Sequence, residues 1–321
     1  DNSRIIRWSG SLGTFAGSED GSGTANGTGT AARFKQPRAM VSAPDGTLYI
    51  AESGTPTIRK VTAAGVVSPL VATGTFSSPE GMALNSSGTL FVADRAKHAI
   101  WSVDTSTGEA TIFVGQANNS GWIDGTGSGA RFYSPSGLVC DAIDNLFVAD
   151  EYNHAIRKVT PAGVVTTFAG ELRTFGSADG TGSNARFHDP RGLALTPTGD
   201  LIVADRINHT VRRITPAGVV TTLAGSPGQS GSADGTGSTA RFDSPVGVAV
   251  DRFHQIFITD WDTHTIRMIS PAGEVTTVGG MVGIGSHQDG VGTNAVFYEP
   301  FGIVAQANGD LLVADESNNR V

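Results

Sequence analysis

One stretch of the chain, residues 178–225, decides the fold: ADGTGSNARFHDPRGLALTPTGDLIVADRINHTVRRITPAGVVTTLAG. It contains short apolar runs rich in Val, Ile, Leu and Thr, which favour the pleated, half-buried surface of a strand. Turn signals separate the runs, because Pro presets φ and Gly supplies conformational freedom in the TPTG and TPAG segments. The stretch therefore predicts a sheet of four antiparallel strands, at 192–195, 201–205, 210–214 and 219–225.

The same pattern recurs along the whole chain at a nearly constant spacing. A proline opens the first strand of each copy, and successive prolines lie 42, 56, 55, 55 and 55 residues apart, at Pro37, Pro79, Pro135, Pro190, Pro245 and Pro300. One such sheet cannot bury both of its faces, so it needs neighbours of its own kind. The spacing predicts an all-β fold, a six-bladed β-propeller of four-stranded antiparallel blades that forms a single domain over residues 1–321.

The two ends of the chain resemble different strands of one blade. Residues 2–7 resemble a third strand and 13–17 a fourth, whereas 311–315 resemble a second. We therefore expect the N-terminal strands to complete the last blade, which removes both free sheet edges. Residues 2–5 and 318–321 are two versions of one segment, and only one version can occupy the third-strand position.

Charge and composition argue against several classes of function. The chain has 22 basic and 30 acidic residues, a net charge of −8, whereas nucleic acids and anionic membranes attract basic surfaces. It contains no run of 18 apolar residues, so we expect no membrane insertion. Abundant Ser, Thr and Gly with few Lys favour an extracellular or periplasmic protein. The single cysteine, Cys140, excludes an internal disulfide.

The repeat resembles the NHL-repeat family. The resemblance is carried by the patterns P-x-G-[LV]-A, LxVAD, xNHxIR and TPAGVVTT[FL]AG, with the Asn-His pairs at 153–154 and 208–209 as its hallmark. The loop ADGxGxxARF between repeats, as at 178–187, resembles the bacterial form. The resemblance implies a six-bladed propeller. Relatives of this kind include bacterial sensor domains, protein- or RNA-binding domains, and a few lyases with metal and catalytic groups in the central channel.

Residues that could carry chemistry occur at repeated positions, which favours structural roles. The third strands begin at histidines that lie about 10 Å farther from the axis than the first strands, too far to share one metal ion: His98, His154, His209 and His264. The acids that end the second strands are expected to accept backbone N–H groups in their own turns. The acids before Gly-x-Gly lack the other ligands of a calcium loop. We therefore predict no catalytic residue, metal or cofactor.

Selective recognition must use the positions at which the repeats differ. The residues after each blade-opening proline and after each second-strand acid vary in charge and size, and the alternation of strand direction places both sets at one mouth of the channel. Convergent arginines beside large apolar side chains are typical of a binding site. The candidate ligand-binding residues are Arg38, Arg95, Arg191, Arg206, Val246, Trp261, Tyr298 and Phe301.

The sequence thus favours a non-catalytic module that binds a protein, peptide or glycan through one face. We expect it to be a monomer or a part of a larger chain. A lyase-type enzyme that uses the central channel is one alternative, and an architectural repeat of a larger surface protein is the other.

Overall fold

The chain is an all-β propeller, built almost wholly from antiparallel strands and short turns. The structure, a computed structural model, describes residues 3–8, 12–18 and 21–318. Within these ranges the strands form six hydrogen-bonded sheets. No helix in the described ranges is long and apolar enough to cross a membrane.

The strand bounds follow the sequence repeats. The sheet formed by both chain ends contains β1 (Ser3–Trp8), β2 (Leu12–Ser18), β27 (Pro300–Ala305) and β28 (Leu311–Asp315). The next two sheets contain β3 (Gly27–Thr28), β4 (Pro37–Ser42), β5 (Leu48–Glu52), β6 (Thr57–Val61) and β7 (Val66–Val71), then β8 (Pro79–Leu84), β9 (Leu90–Asp94), β10 (Ala99–Val103) and β11 (Ala110–Gly115). Then come β12 (Gly125–Thr126), β13 (Pro135–Cys140), β14 (Leu146–Asp150), β15 (Ala155–Val159) and β16 (Val164–Ala169). The last two contain β17 (Gly180–Thr181), β18 (Pro190–Leu195), β19 (Leu201–Asp205), β20 (Thr210–Ile214) and β21 (Val219–Gly225), then β22 (Gly235–Thr236), β23 (Pro245–Val250), β24 (Ile256–Asp260), β25 (Thr265–Ile269) and β26 (Glu274–Gly279).

Short 3-10 turns lie in the loops and after one second strand. They are η1 (Gly29–Ala31), η2 (Gly127–Gly129), η3 (Glu151–Asn153), η4 (Gly182–Asn184), η5 (Gly237–Thr239) and η6 (Gly292–Asn294).

The sheet at the chain ends is a composite. Strand β1 pairs antiparallel with β28, with Ile6 opposite Val313 and Trp8 opposite Leu311. The terminal strands meet in one sheet, as their sequences predict. Five blades are thus self-contained, rather than the six that the proline spacing predicts, because the sixth sheet is assembled from β1 and β2 together with β27 and β28. The choice between the duplicated terminal segments depends on residues 1–2 and 319–321, which lie outside the described residues.

The blades are not uniformly four-stranded. In four sheets the Asp-Gly-x-Gly loop adds a two-residue strand outside the fourth strand, as where Gly180 and Thr181 pair with Val220 and Val219. The prediction of four strands was too low for these sheets, because the loop reaches back to the outer edge of the blade that follows it. The loop therefore covers part of an exposed strand edge.

The core lies between the sheets. The described residues form six clusters of buried apolar side chains, and each cluster joins two neighbouring sheets. One phenylalanine from each connection, at most 3% exposed, lies in each cluster: Phe34, Phe76, Phe132, Phe187, Phe242 and Phe297. These side chains seal the contacts between neighbouring sheets.

The first strands approach one another closely at the glycine of the Pro-x-Gly motif. A Cβ on Gly192 would lie 2.1 Å from the carbonyl oxygen of Val246 in the next first strand, and four equivalent glycines meet the next strand at 1.9 to 2.2 Å. Only glycine permits this contact between backbones. The motif therefore sets the width of the central channel.

Candidate functional site

A buried arginine on the third strand organises each repeated loop. Arg157 donates from Nη1 to Asp150 at 2.7 Å and from Nη2 to Asp124 at 2.6 Å, and it lies over the ring of Phe132 at 5.2 Å. Arg212 and Arg267 repeat this arrangement, and Arg59 binds Glu52 and Asn26 instead. The loop acids at 124, 179 and 234 are thus arginine partners, which explains why they lack the pattern of a calcium loop.

The acids at the ends of the second strands tie each sheet to the connection before it. Asp205 accepts the backbone N–H of His188, 17 residues earlier, at 2.7 Å and the side-chain amide of Asn208 at 2.8 Å. These acids accept backbone N–H groups, as predicted. Most of the N–H donors, however, belong to the connection that precedes the blade and not to the turn that follows the acid. Burial raises the pKa of Asp150 and Asp205 to about 6, although their arginine partners oppose the shift.

The repeated histidines connect neighbouring blades. Their Nδ1 atoms accept backbone N–H groups of the next connection: His98 from Ser134 at 3.1 Å, His154 from Asp189 at 3.3 Å, His209 from Ser244 at 3.2 Å and His264 from Glu299 at 3.2 Å. Each has a φ of 55 to 61°, in the left-handed region. This bonding supports the structural interpretation. Within the described ranges, no three His, Cys, Asp or Glu side chains are placed to hold a metal ion.

Cys140 is a half-buried free thiol. Burial raises the pKa of this thiol to about 12, and the neighbouring Asp144 and Asp141 add to the shift. A thiol with so high a pKa is a poor nucleophile at neutral pH.

The channel contains a narrow cavity of about 80 Å³ lined by all six first strands. All the residues that follow the blade-opening prolines line it: Arg38, Glu80, Ser136, Arg191, Val246 and Phe301. The alternation of strand direction therefore predicts correctly that these six side chains surround one opening. A drug-sized ligand needs a pocket of roughly 300 Å³ or more, so a larger ligand would rest on the mouth.

Most charges at the mouth form one continuous chain of ion pairs. Arg38 binds both Glu316, at 2.7 Å, and Glu80. Arg95 lies 3.7 Å from Glu80 and 2.9 Å from Glu151. Arg191 binds the same Glu151 at 3.1 Å. The glutamate side chains are at most 5% exposed, so the network is held rigidly beneath the arginines.

The apolar candidates do not form the exposed patch that the sequence suggests. Phe301 is only 8% exposed, because the guanidinium groups of Arg38 and Arg191 lie over its ring at 5.3 and 5.5 Å. Val246 is 2% exposed. Tyr298 is 39% exposed but contacts the ring of His264, at the start of a third strand. Trp261 lies beneath Arg206, whose guanidinium carbon is 5.3 Å from the ring centroid.

Two other aromatic side chains are exposed, and one of them, Tyr152, contacts the ion-pair chain. Tyr152, 39% exposed, accepts a hydrogen bond from Arg95 at 2.7 Å and packs edge-on against Tyr133 at 5.1 Å. Phe175 is 63% exposed and stacks on His188 at 4.6 Å. The repeat pattern does not single out these residues. A signal for Tyr152 was available, since it stands two positions after the second-strand acid, on the loop that reaches the mouth.

Comparison with known proteins identifies the repeat. Residues 76–101 and 187–214 match the NHL repeat. The chain is 34% identical over 149 residues to NHL repeat-containing protein 2 of Bos taurus, which covers 43% of this chain and 20% of that protein. The chain therefore spans about a fifth of the length of this curated relative.

Solved structures share the fold at low identity. An auxiliary nutrient binding protein from Bacteroides thetaiotaomicron has a TM-score of 0.76 at 14% identity, over 99% of this chain and 75% of that one. Virginiamycin B lyase from Staphylococcus aureus has a TM-score of 0.59 at 16% identity, over 89% of this chain and 84% of that one. Likenesses at this identity show the fold alone.

Proposed function

We propose that the chain is a non-catalytic binding module that recognises a protein, peptide or glycan at the channel mouth. In this proposal the composite sheet acts as the sixth blade of one closed ring over residues 1–321, of the bacterial ADGxGxxARF type. The six apolar clusters between sheets and the pairing of β1 with β28 support the closed ring. We place the module outside the cell or in the periplasm, as a monomer or as part of a larger chain.

The ion-pair chain at the mouth is the observation that carries this proposal. The third-strand arginines recur in four blades, so they belong to the fold. The mouth charges vary from blade to blade: Glu151 and Glu316 share one blade position, at which two other blades have Ser53 and Trp261. Burying the Glu151 carboxylate costs free energy unless it is paired, and a hydrophobic replacement is often neutral or stabilising. A costly network that the fold does not require indicates a surface organised in advance for a ligand.

The composition of the mouth favours a macromolecular or sugar ligand. Arginine and tyrosine side chains are enriched where binding energy concentrates, and an exposed Tyr offers both a flat apolar ring and a hydroxyl group. Tyr152 and Arg95 supply both features in one hydrogen-bonded pair. The channel beneath them is too narrow for such a ligand to enter.

The lyase alternative gains no support from the residues that line the cavity. They offer one carboxylate, Glu80, which is bound by Arg38, and they include no histidine. The resemblance to virginiamycin B lyase remains one of fold.

Screening of peptide and glycan arrays with the purified protein tests the proposal. Tyr152→Ala and Trp261→Ala should each raise the dissociation constant of a genuine ligand by tenfold or more, since a hot-spot residue contributes about 2 kcal/mol to binding. Glu109→Ala is the matched control, because Glu109 is an exposed residue before β11, in the hairpin between the outer strands of its blade. Loss of binding in the control, or none in either aromatic variant, would place the site elsewhere.

A further inference from the structure

One arginine at the mouth stands apart from the ion-pair chain. Among the described residues, the side chain of Arg206 forms no hydrogen bond or ion pair, and its Nε atom is buried without a partner. Arg38, Arg95 and Arg191 are each bound to at least one glutamate. The ion-pair chain thus joins three arginines to three glutamates and leaves Arg206 outside it.

An unpartnered Nε is not sufficient by itself to mark a site. The Nε atoms of Arg157, Arg212 and Arg267 are also buried without partners, but the Nη groups of these arginines donate to two carboxylates each. Arg206 has no such compensation. Burial and the neighbouring Arg191 lower the pKa of Arg206, while Glu151, Asp189 and Asp262 oppose the shift.

The neighbour of Arg206 adds a second unsatisfied donor. The guanidinium lies over the ring of Trp261, and the indole Nε1–H of Trp261 is also buried without an acceptor. Buried donors without acceptors are rare in folded proteins and call for a specific explanation. Here two of them belong to one stacked pair.

We propose that Arg206, stacked on Trp261, forms a subsite for a single carboxylate group of the ligand. A carboxylate accepts two parallel N–H bonds from a guanidinium, and the guanidinium of Arg206 has no carboxylate partner among the described residues. Glu151, Asp189 and Asp262 already act on Arg206, so the two negative charges of a phosphate would be repelled more than the single charge of a carboxylate. This inference rests on the proposed function, because it assigns the ligand's charged group to the same mouth.

Indole resonances provide a direct test on the intact protein. The chain has four tryptophans, so a ¹⁵N spectrum contains few indole signals, and Trp261→Phe assigns the relevant one. Sodium benzoate is the probe, and benzamide is its neutral isostere. We expect benzoate to shift the Trp261 indole signal in a saturable manner, and benzamide to bind at least tenfold more weakly.

Variants separate the subsite from general charge effects. Arg206→Gln should raise the dissociation constant of benzoate at least tenfold, and Arg206→Lys should recover part of the loss because it restores the charge without the paired donors. Arg252→Gln, in the hairpin between a first and a second strand, is the control and should leave binding unchanged. Parallel titrations with glucuronate and N-acetylglutamate show whether a sugar or a peptide carboxylate binds better.

The outcomes are distinct from those of the array screen. Equal binding of benzoate and benzamide, no shift of the Trp261 signal, or unchanged binding by a folded Arg206→Gln protein would each refute the carboxylate subsite. If the arrays still yield a ligand that depends on Tyr152, the binding function stands without this subsite. If they yield none while benzoate binds through Arg206, the subsite stands and the macromolecular ligand is wrong.

Discussion

Replacing Gly192 with alanine should disrupt the ring at its narrowest point. The added Cβ would lie 2.1 Å from the carbonyl oxygen of Val246 and 3.1 Å from the nitrogen of Val248. Both obstacles are backbone atoms of the neighbouring first strand, so no side-chain rotation relieves the contact. The strand would have to retreat by about 1.3 Å to reach ordinary contact, which a close-packed interior resists.

The size of the effect follows from the rigidity of the obstacle. Overpacking of a core costs about 1–3 kcal/mol when side chains and backbone can share the shift. Here a displacement of one first strand would also displace the first strands on either side of it, because four other glycines make the same close approach between neighbouring strands. We therefore expect Gly192→Ala to lower the free energy of unfolding by about 3 kcal/mol, at the upper end of that range.

Urea denaturation followed by circular dichroism measures this change. The matched control is Gly129→Ala, since Gly129 is exposed and a Cβ there would contact nothing within 4 Å. We expect the control to change stability by less than about 1 kcal/mol, in the stabilising direction, because alanine reduces the entropy of the unfolded chain. Equal stability of Gly192→Ala and the wild-type protein would refute the close approach of the first strands.

Three other predictions concern charge and closure. Arg212→Met should destabilise the protein by about 3–5 kcal/mol, because it leaves Asp205 buried without its cation, whereas Arg213→Gln, which breaks a half-exposed ion pair, should cost less than about 1 kcal/mol in the same urea assay. Burial raises the pKa of Asp205 from 3.8 to about 6, so the folded state holds this proton more tightly, and the stability due to this group is lost as pH rises between these values. Denaturation at pH 4 and pH 7 should therefore show that Asp205→Asn is less pH-dependent than the wild-type protein, by up to about 3 kcal/mol, and an unchanged dependence would contradict the shift. Deletion of residues 1–18 should expose the edge of β28 and cause aggregation or loss of cooperative melting, whereas unchanged melting would show that β1 and β2 do not close the fold.

The sequence predicts the strands well because they are local features. The bounds of β19, β20 and β21 coincide with the apolar runs at 201–205, 210–214 and 219–225. Gly199 precedes the first run and the Pro216-Ala217-Gly218 turn separates the last two, which fixes where these strands can begin and end. The short strand β17 escaped prediction, because Gly180 and Thr181 pair with a fourth strand about 40 residues later and carry no strand pattern of their own.

The contacts within the site were less accessible from the sequence. The alternation of strand direction correctly brings Arg38, Glu80 and Phe301 to one opening. It does not indicate that arginine side chains cover Phe301. That contact depends on the conformations which the long and flexible arginine side chains adopt around a narrow channel. The pairing of Arg157 with acids 7 and 33 residues away likewise depends on a loop that folds back over its own blade.

The blade that lacks the Asp-Gly-x-Gly loop separates structural charges from functional ones. In that blade Trp101 occupies the strand position of the buried arginine and packs edge-on against Phe76 at 5.6 Å, while Asp94 still accepts the N–H groups of Ser77 and Ser78. This blade lacks both the third-strand arginine and the loop, which indicates that the arginine stabilises the loop. Asp94 binds the backbone of the preceding connection even though no arginine is present. A charge that the architecture requires therefore has its partner in the same repeated unit. Arg206 has no such partner among the described residues, and this supports the carboxylate subsite that we propose for it.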